Sequence, residues 1–159
     1  MTVVVGVDGS AAARTALRLA AQEARWRQAS LVAVSAYEPP IGKPVGGYPA
    51  AQMHTPDEER TTAESALRDT VSSELGDQAG QTDLRVSAGL AGRVIIETAR
   101  QTNAQLIVLA ASAGKSMLPG TVSHYVLLKA HSPVMIVPAD GAEAALNSNQ
   151  QSSQASSGR

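Results

Sequence analysis

The fold predicted from this sequence is a three-layer α/β/α domain built on a five-stranded parallel sheet, and three observations predict it. Short apolar runs alternate along the chain with longer stretches whose apolar residues recur at helical spacing. The first run, VVVGV at 3–7, is continuous rather than alternating, as expected of a strand covered on both faces. The segments after the first and fourth runs are made of small residues and lead into helix starts, the pattern of carboxyl-end loops on an open parallel sheet.

Each element has its own signal. Asp8, Gly9 and Ser10 break the first strand, and Ser10 is placed to cap a helix. From Ala13 onward Leu17, Ala20, Ala21 and Ala24 form one apolar stripe, with Arg14, Arg18, Glu23, Arg25 and Arg27 mostly on other faces. Residues 31–37 read as a second strand. Residues 38–54 carry Pro39, Pro40, Gly42, Pro44, Gly46, Gly47 and Pro49, a density of breakers that predicts a long loop. Thr55, Pro56 and Glu58 predict a helix start with a capping box and proline at the first helical position. Ala63, Ala66, Leu67, Thr70, Val71 and Leu75 form its expected buried stripe, and Gly76 its expected C′ residue. Residues 83–88 alternate as an edge strand does. A turn at 89–92 precedes a helix carrying Val94, Ile95, Thr98 and Ala99 and ending near Asn103. Residues 106–109 (LIVL) are the fourth strand, 110–120 a loop of small residues, Thr121 the start of the last helix and Pro133 the start of the last apolar run.

Composition narrows the function. With 159 residues the chain suits one domain, expected over 1–139. The Ser-, Gln- and Asn-rich stretch 140–159 cannot bury a core of its own and is expected to be disordered. A net charge of −1 gives no electrostatic case for nucleic acid or a membrane surface. The absence of cysteine removes disulfides and thiol chemistry. No apolar run approaches the roughly 20 residues that span a bilayer. The N-terminus enters a strand directly, so no signal peptide and a cytoplasmic location are expected. Phenylalanine is absent, so the core must be built from Val, Leu, Ile and Ala.

Four segments resemble the universal stress protein family. VVVGVDGS resembles its first strand and Asp-containing turn, VSAGLAGRVI (86–95) its strand, glycine and helix step, and LIVL its strand before a glycine loop. GTVSHYVLLKAHSPVMIVP (120–138) is the most specific of the four, resembling its Gly-Ser/Thr helix and last strand. The resemblance covers residues 1–138 and implies the strand order 3-2-1-4-5, dimerisation through the last strand (Val134 to Val137) and, in some members, ATP or AMP bound over the first and fourth strands, with Mg²⁺ accompanying ATP. Carried over by position, it implies a nucleotide site formed by Gly6, Val7, Asp8, Val34, Ala110, Ala113, Gly114, Lys115, Gly120, Thr121 and Val122.

One segment departs from the family. Its pattern Gly-x2-Gly-x9-Gly-Ser/Thr ends correctly at Gly120 and Thr121. Its first two glycines, however, fall on Ala110 and Ala113, and six residues, 114–119, stand where the pattern has nine. An alanine Cβ restricts both close approach to phosphate and positive φ, and a shorter loop offers fewer N–H donors. Two readings therefore stand: an adenine-nucleotide protein with a shortened, degenerate glycine loop, or a stress protein that binds no nucleotide and works through protein contacts. Slow ATP hydrolysis is a weaker third reading, because no general base or metal cluster is legible.

Other motifs weigh less. Gly114, Lys115 and Ser116 mimic the end of a P-loop, but Leu109 stands where that motif needs a small residue, so Lys115 is at most a point charge near a phosphate. Asp8 has a ligand role and a turn-capping role open to it. His54, His124 and His131 have no carboxylate at ligand spacing, and no metal site is expected.

Overall fold

The computed structural model describes residues 1–38, 55–111 and 121–138. The proline- and glycine-rich loop, Ala113, Gly114, Lys115 and Gly120 of the expected site, and the C-terminal stretch lie outside the described residues. The elements are β1 (Thr2–Gly6), α1 (Ala11–Trp26), β2 (Ser30–Tyr37), α2 (Pro56–Leu75), a 3₁₀ segment (Gly76–Gln81), β3 (Thr82–Ala88), α3 (Ala91–Gln101), β4 (Leu106–Ala110), α4 (Val122–Lys129) and β5 (Val134–Val137).

All strand pairs are parallel and the order is β3-β2-β1-β4-β5. The chain builds outward from β1 to β3, then crosses back to lay β4 on the other side of β1. This makes β1/β4 the point where the strand order reverses. Strand alternation sorts the core into two layers. Val3, Val5, Leu31, Ala33, Leu106 and Val108 face α1 and α2, where they meet Leu17, Ala20, Leu67 and Val71. Val4, Val32, Val34, Ile107 and Leu109 face the other way, onto Val94, Ile95 and Ala99 of α3 and Val126 of α4. Covering on both faces is why the central strands are continuous apolar runs.

Local chemistry starts three of the four α-helices among the described residues. Ser10 Oγ accepts from the Ala13 N–H. Thr55 and Glu58 close the expected capping box in both directions. Thr121 Oγ1 accepts from the His124 N–H at 3.2 Å. The fourth, α3, has Leu90 at its N-cap and no side-chain cap bond.

The structure corrects several expectations. Gly92 is already helical rather than part of a turn. In α2 the fully buried stripe narrows to Leu67, Thr70 and Val71; Ala63 and Leu75 are half-buried and Ala66 is exposed. Ala66 lies about 100° around the helix from Leu67, outside the face that meets the sheet. The 3₁₀ segment has no apolar periodicity to announce it. Gly76, at φ 54°, breaks α2, and Ala79 packs on the core.

Glu74, also on α2, is mostly buried and pairs with Arg14 at 3.5 Å and with Arg18. Its position ties α2 to α1. Replacing it with alanine strands no buried charge, since both arginines stay partly in water. The expected loss is about 1 kcal/mol, read by urea unfolding and shrinking with added salt; a stability equal to that of the unsubstituted chain would contradict it.

Candidate functional site

The crevice begins where β1 ends. After Gly6 and Val7 the chain turns at Asp8, Gly9 and Ser10. Asp8 Oδ1 accepts from the Ser10 N–H at 3.0 Å, and Gly9 takes φ 81°, a left-handed conformation that suits glycine. The Asp8 carboxylate thus holds the entry to α1, where its charge also suits the positive end of the helix dipole. Oδ2 has no partner among the described residues.

β4 pairs with β1 in register Val3↔Leu106 to Val5↔Val108, so the loop after β4 opens beside the loop after β1. Ala110 and Ala111 lead out of β4, and α4 returns to the same end. The hydroxyl of Ser123, a buried residue in the first turn of α4, donates to the Ala110 carbonyl at 3.4 Å and ties the start of α4 to the end of β4. Together these ends enclose a cavity of about 530 Å³ at the carboxyl edge of the sheet. Its walls include Gly6, Val7, Asp8, Val34, Ala110 and Val122 of the expected site. Thr121 stands at the adjoining helix start, where it caps α4.

The cavity has further walls that sequence reasoning missed: Ser10 to Ala13 at the start of α1, Ala36 on β2, Ala91 and Ile95 on α3, and Leu109, Ala111 and Ser123. Ala36 reaches the cavity because β2 outruns β1. The last β1–β2 partner pair is Gly6↔Val34, whereas β2 continues beside β3 to Tyr37↔Ala88. The Val34 carbonyl accepts from the Val7 N–H at 2.9 Å, so the Val34 backbone faces β1. Ala36, two residues on, directs its N–H and C=O to the same side, beyond the end of β1. Val34 itself is buried and contributes its side chain to the floor.

Gly6 admits two large side chains over the end of β1. A Cβ there would stand 2.9 Å from Leu109 Cδ2 and 3.0 Å from Ile95 Cδ1. The cavity is therefore floored by aliphatic carbon, with one carboxylate at its rim and the starts of α1, α3 and α4 around it. That arrangement suits a ligand with a flat apolar body, hydroxyl or amine donors for a carboxylate, and a negative group for helix N–H donors. Among the described residues no three His, Cys, Asp or Glu side chains gather as a metal site needs. Nor is any described helix long and apolar enough to cross a membrane.

Comparison with known proteins matches the family model described as "Universal stress protein family" over residues 1–138. No curated protein matches the chain in sequence. Among solved structures, a universal stress protein in complex with cAMP is 25% identical, with a TM-score of 0.62, covering 86% of this chain and 95% of that one. Universal stress protein UspA from Lactobacillus plantarum is 25% identical, with a TM-score of 0.64 and coverages of 86% and 97%. A universal stress protein from Archaeoglobus fulgidus in complex with dAMP is also 25% identical, with a TM-score of 0.53 and coverages of 86% and 97%.

Proposed function

The chain belongs to the universal stress protein family, and on that premise we propose that it acts in the stress response by binding an adenine nucleotide at the carboxyl ends of β1 and β4. The observation that carries this reading is the 530 Å³ cavity with Asp8 at its rim. Two relatives crystallised with cAMP and dAMP support it. In this reading the Asp8 carboxylate accepts from ribose or base. The Ala36 backbone, directed past the end of β1, pairs with the edge of the base, and Val34 lies beneath the ring. The starts of α1 and α4 face the phosphate. Gly120 and Lys115 belong to the same site by family position, with Ala110, Ala113 and Gly114. AMP needs no metal; ATP brings Mg²⁺.

The protein binds rather than turns over, and it works in the cytoplasm. It does so as a homodimer joined along β5. The support for a second copy is that β5 is an edge strand, with Val134, Met135 and Ile136 half-buried and Leu127 and Leu128 exposed on the adjacent α4. Light scattering on the purified chain tests it; a monomer at all concentrations would end it.

Nucleotide binding is tested on protein purified from its host. Mass spectrometry of the heat-released fraction should find an adenine nucleotide, and calorimetry should record binding of AMP and of ATP with Mg²⁺. Asp8→Ala should weaken AMP by about 10- to 100-fold, the worth of a hydrogen bond to a charged group. No heat at millimolar nucleotide would leave the alternative, a stress protein working through protein contacts.

A further inference from the structure

We propose that Tyr125 is a positioning residue for the carboxyl-end cavity: its ring, seated on Gly92, holds the uncapped first turn of α3 against α4 and so sets the width between Ala91 and Ser123. The functional consequence rests on the nucleotide reading above.

Helices α1 and α4 reach the cavity with starts fixed by Ser10 and Thr121. Helix α3 reaches it with Leu90 at the N-cap, a residue that makes no side-chain cap bond and is 61% exposed. Val94 and Ile95 anchor α3 in the core from the end of its first turn onward, and Ala91, which that turn carries to the cavity, precedes both. What meets that turn is Tyr125. A Cβ on Gly92 would stand 2.7 Å from Tyr125 Cδ1, 3.2 Å from Cγ and 3.4 Å from Cβ. The ring thus lies against α3 backbone at a point where only glycine leaves it room.

The other end of the brace is fixed as well. Two residues before Tyr125, Ser123 hydrogen-bonds the Ala110 carbonyl at the end of β4. A continuous path therefore runs from β4 through Ser123 and Tyr125 to Gly92, with the cavity walls Ser123 and Ala91 at its two ends. Loss of the ring leaves the first turn of α3 without a cap and without the side chain that meets it at Gly92. Addition of a Cβ at Gly92 drives the turn and the ring apart. Either change moves Ala91 relative to Ser123, and a site loosened in its supporting residues loses affinity even when every ligand contact is still present.

The test uses the full chain at a temperature where circular dichroism finds each variant folded, with AMP as the probe. Amide hydrogen exchange at Arg93 and Val94, whose N–H groups bond to the Leu90 carbonyl, reports the first turn of α3 directly. Tyr125→Ala should speed that exchange about tenfold while leaving the first turn of α1 unchanged, and should weaken AMP by about tenfold. Tyr125→Phe keeps the ring and should match the unsubstituted chain in both readouts. Gly92→Ala should weaken AMP, and combining it with Tyr125→Ala should cost nothing further, because the atom it clashes with is gone. If Tyr125→Ala does not fold, Tyr125→Leu makes the same comparison. Unchanged exchange at Arg93 and Val94, or undiminished AMP affinity in Tyr125→Ala, would overturn the proposal. If the unsubstituted chain binds no AMP, the nucleotide reading fails by itself, and the exchange comparison still decides whether Tyr125 positions α3.

Discussion

Leu17→Ala is expected to lower the free energy of unfolding by about 3–5 kcal/mol, near the top of the range for a buried leucine. Leu17 is, with Ile107, the largest side chain with no exposed surface among the described residues. It projects from the middle of α1 onto the layer formed by β1, β2 and β4. Its neighbours along the helix are Ala16, Ala20, Ala21 and Ala24, and those on the strands include Val3, Val5 and Val108. Such short side chains cannot swing into a vacated space, and the backbones they join are locked in sheet and helix. The cavity should therefore persist, and its cost adds to the lost transfer free energy. A chain of this size loses about 2–4 °C in Tm per kcal/mol, so a thermal melt should fall by about 6–20 °C. A loss under about 1 kcal/mol would mean that the α1 layer collapses more readily than its packing implies.

Gly6→Val should strike stability and binding together. The first added carbon would sit 2.9 Å from Leu109 Cδ2 and 3.0 Å from Ile95 Cδ1, both at the floor of the cavity. Gly6→Ala asks those two methyl tips to move by a few tenths of an ångström, which flexible ends can do. Valine adds two more carbons on a stiff, β-branched stem. The tips must then move, and the open direction is the cavity. The expected cost is about 1–3 kcal/mol of overpacking, together with loss of most AMP binding as the floor rises. Chemical unfolding reads the first effect and calorimetry the second. A Gly6→Val chain that keeps both its stability and its AMP affinity would refute this account of the cavity floor.

Much of the molecule was legible in sequence because much of it is local. Ser10, Thr55 and Thr121 each bond a backbone N–H three residues away, so the residue type and its position sufficed to place three helix starts. The central strands β1, β2 and β4 are continuous apolar runs because both faces are covered, and that covering is recorded residue by residue. The order 3-2-1-4-5 came from resemblance, and the pairing of Val3 with Leu106 bears it out. What escaped depends on distant partners. Glu74 sits in the inner stripe of α2 because two arginines of α1 meet it there. The 3₁₀ segment exists because Ala79 finds the core. Ala66 falls outside its stripe because α2 meets the sheet along a narrow face.

The candidate site divides in the same way. By itself the sequence determined the turn at Asp8, the helix starts at Ser10 and Thr121 that face the crevice and the departure from the glycine pattern between Ala110 and Gly120, since each is a property of neighbouring residues. Only the tertiary structure decided that Ala36, Ala91 and Ile95 wall the cavity, that Gly6 makes room for Leu109 and Ile95, and that Tyr125 rests on Gly92. These are contacts between residues far apart in the chain. Their distances follow from how three strands end and how three helices pack, and no spacing along one segment encodes that.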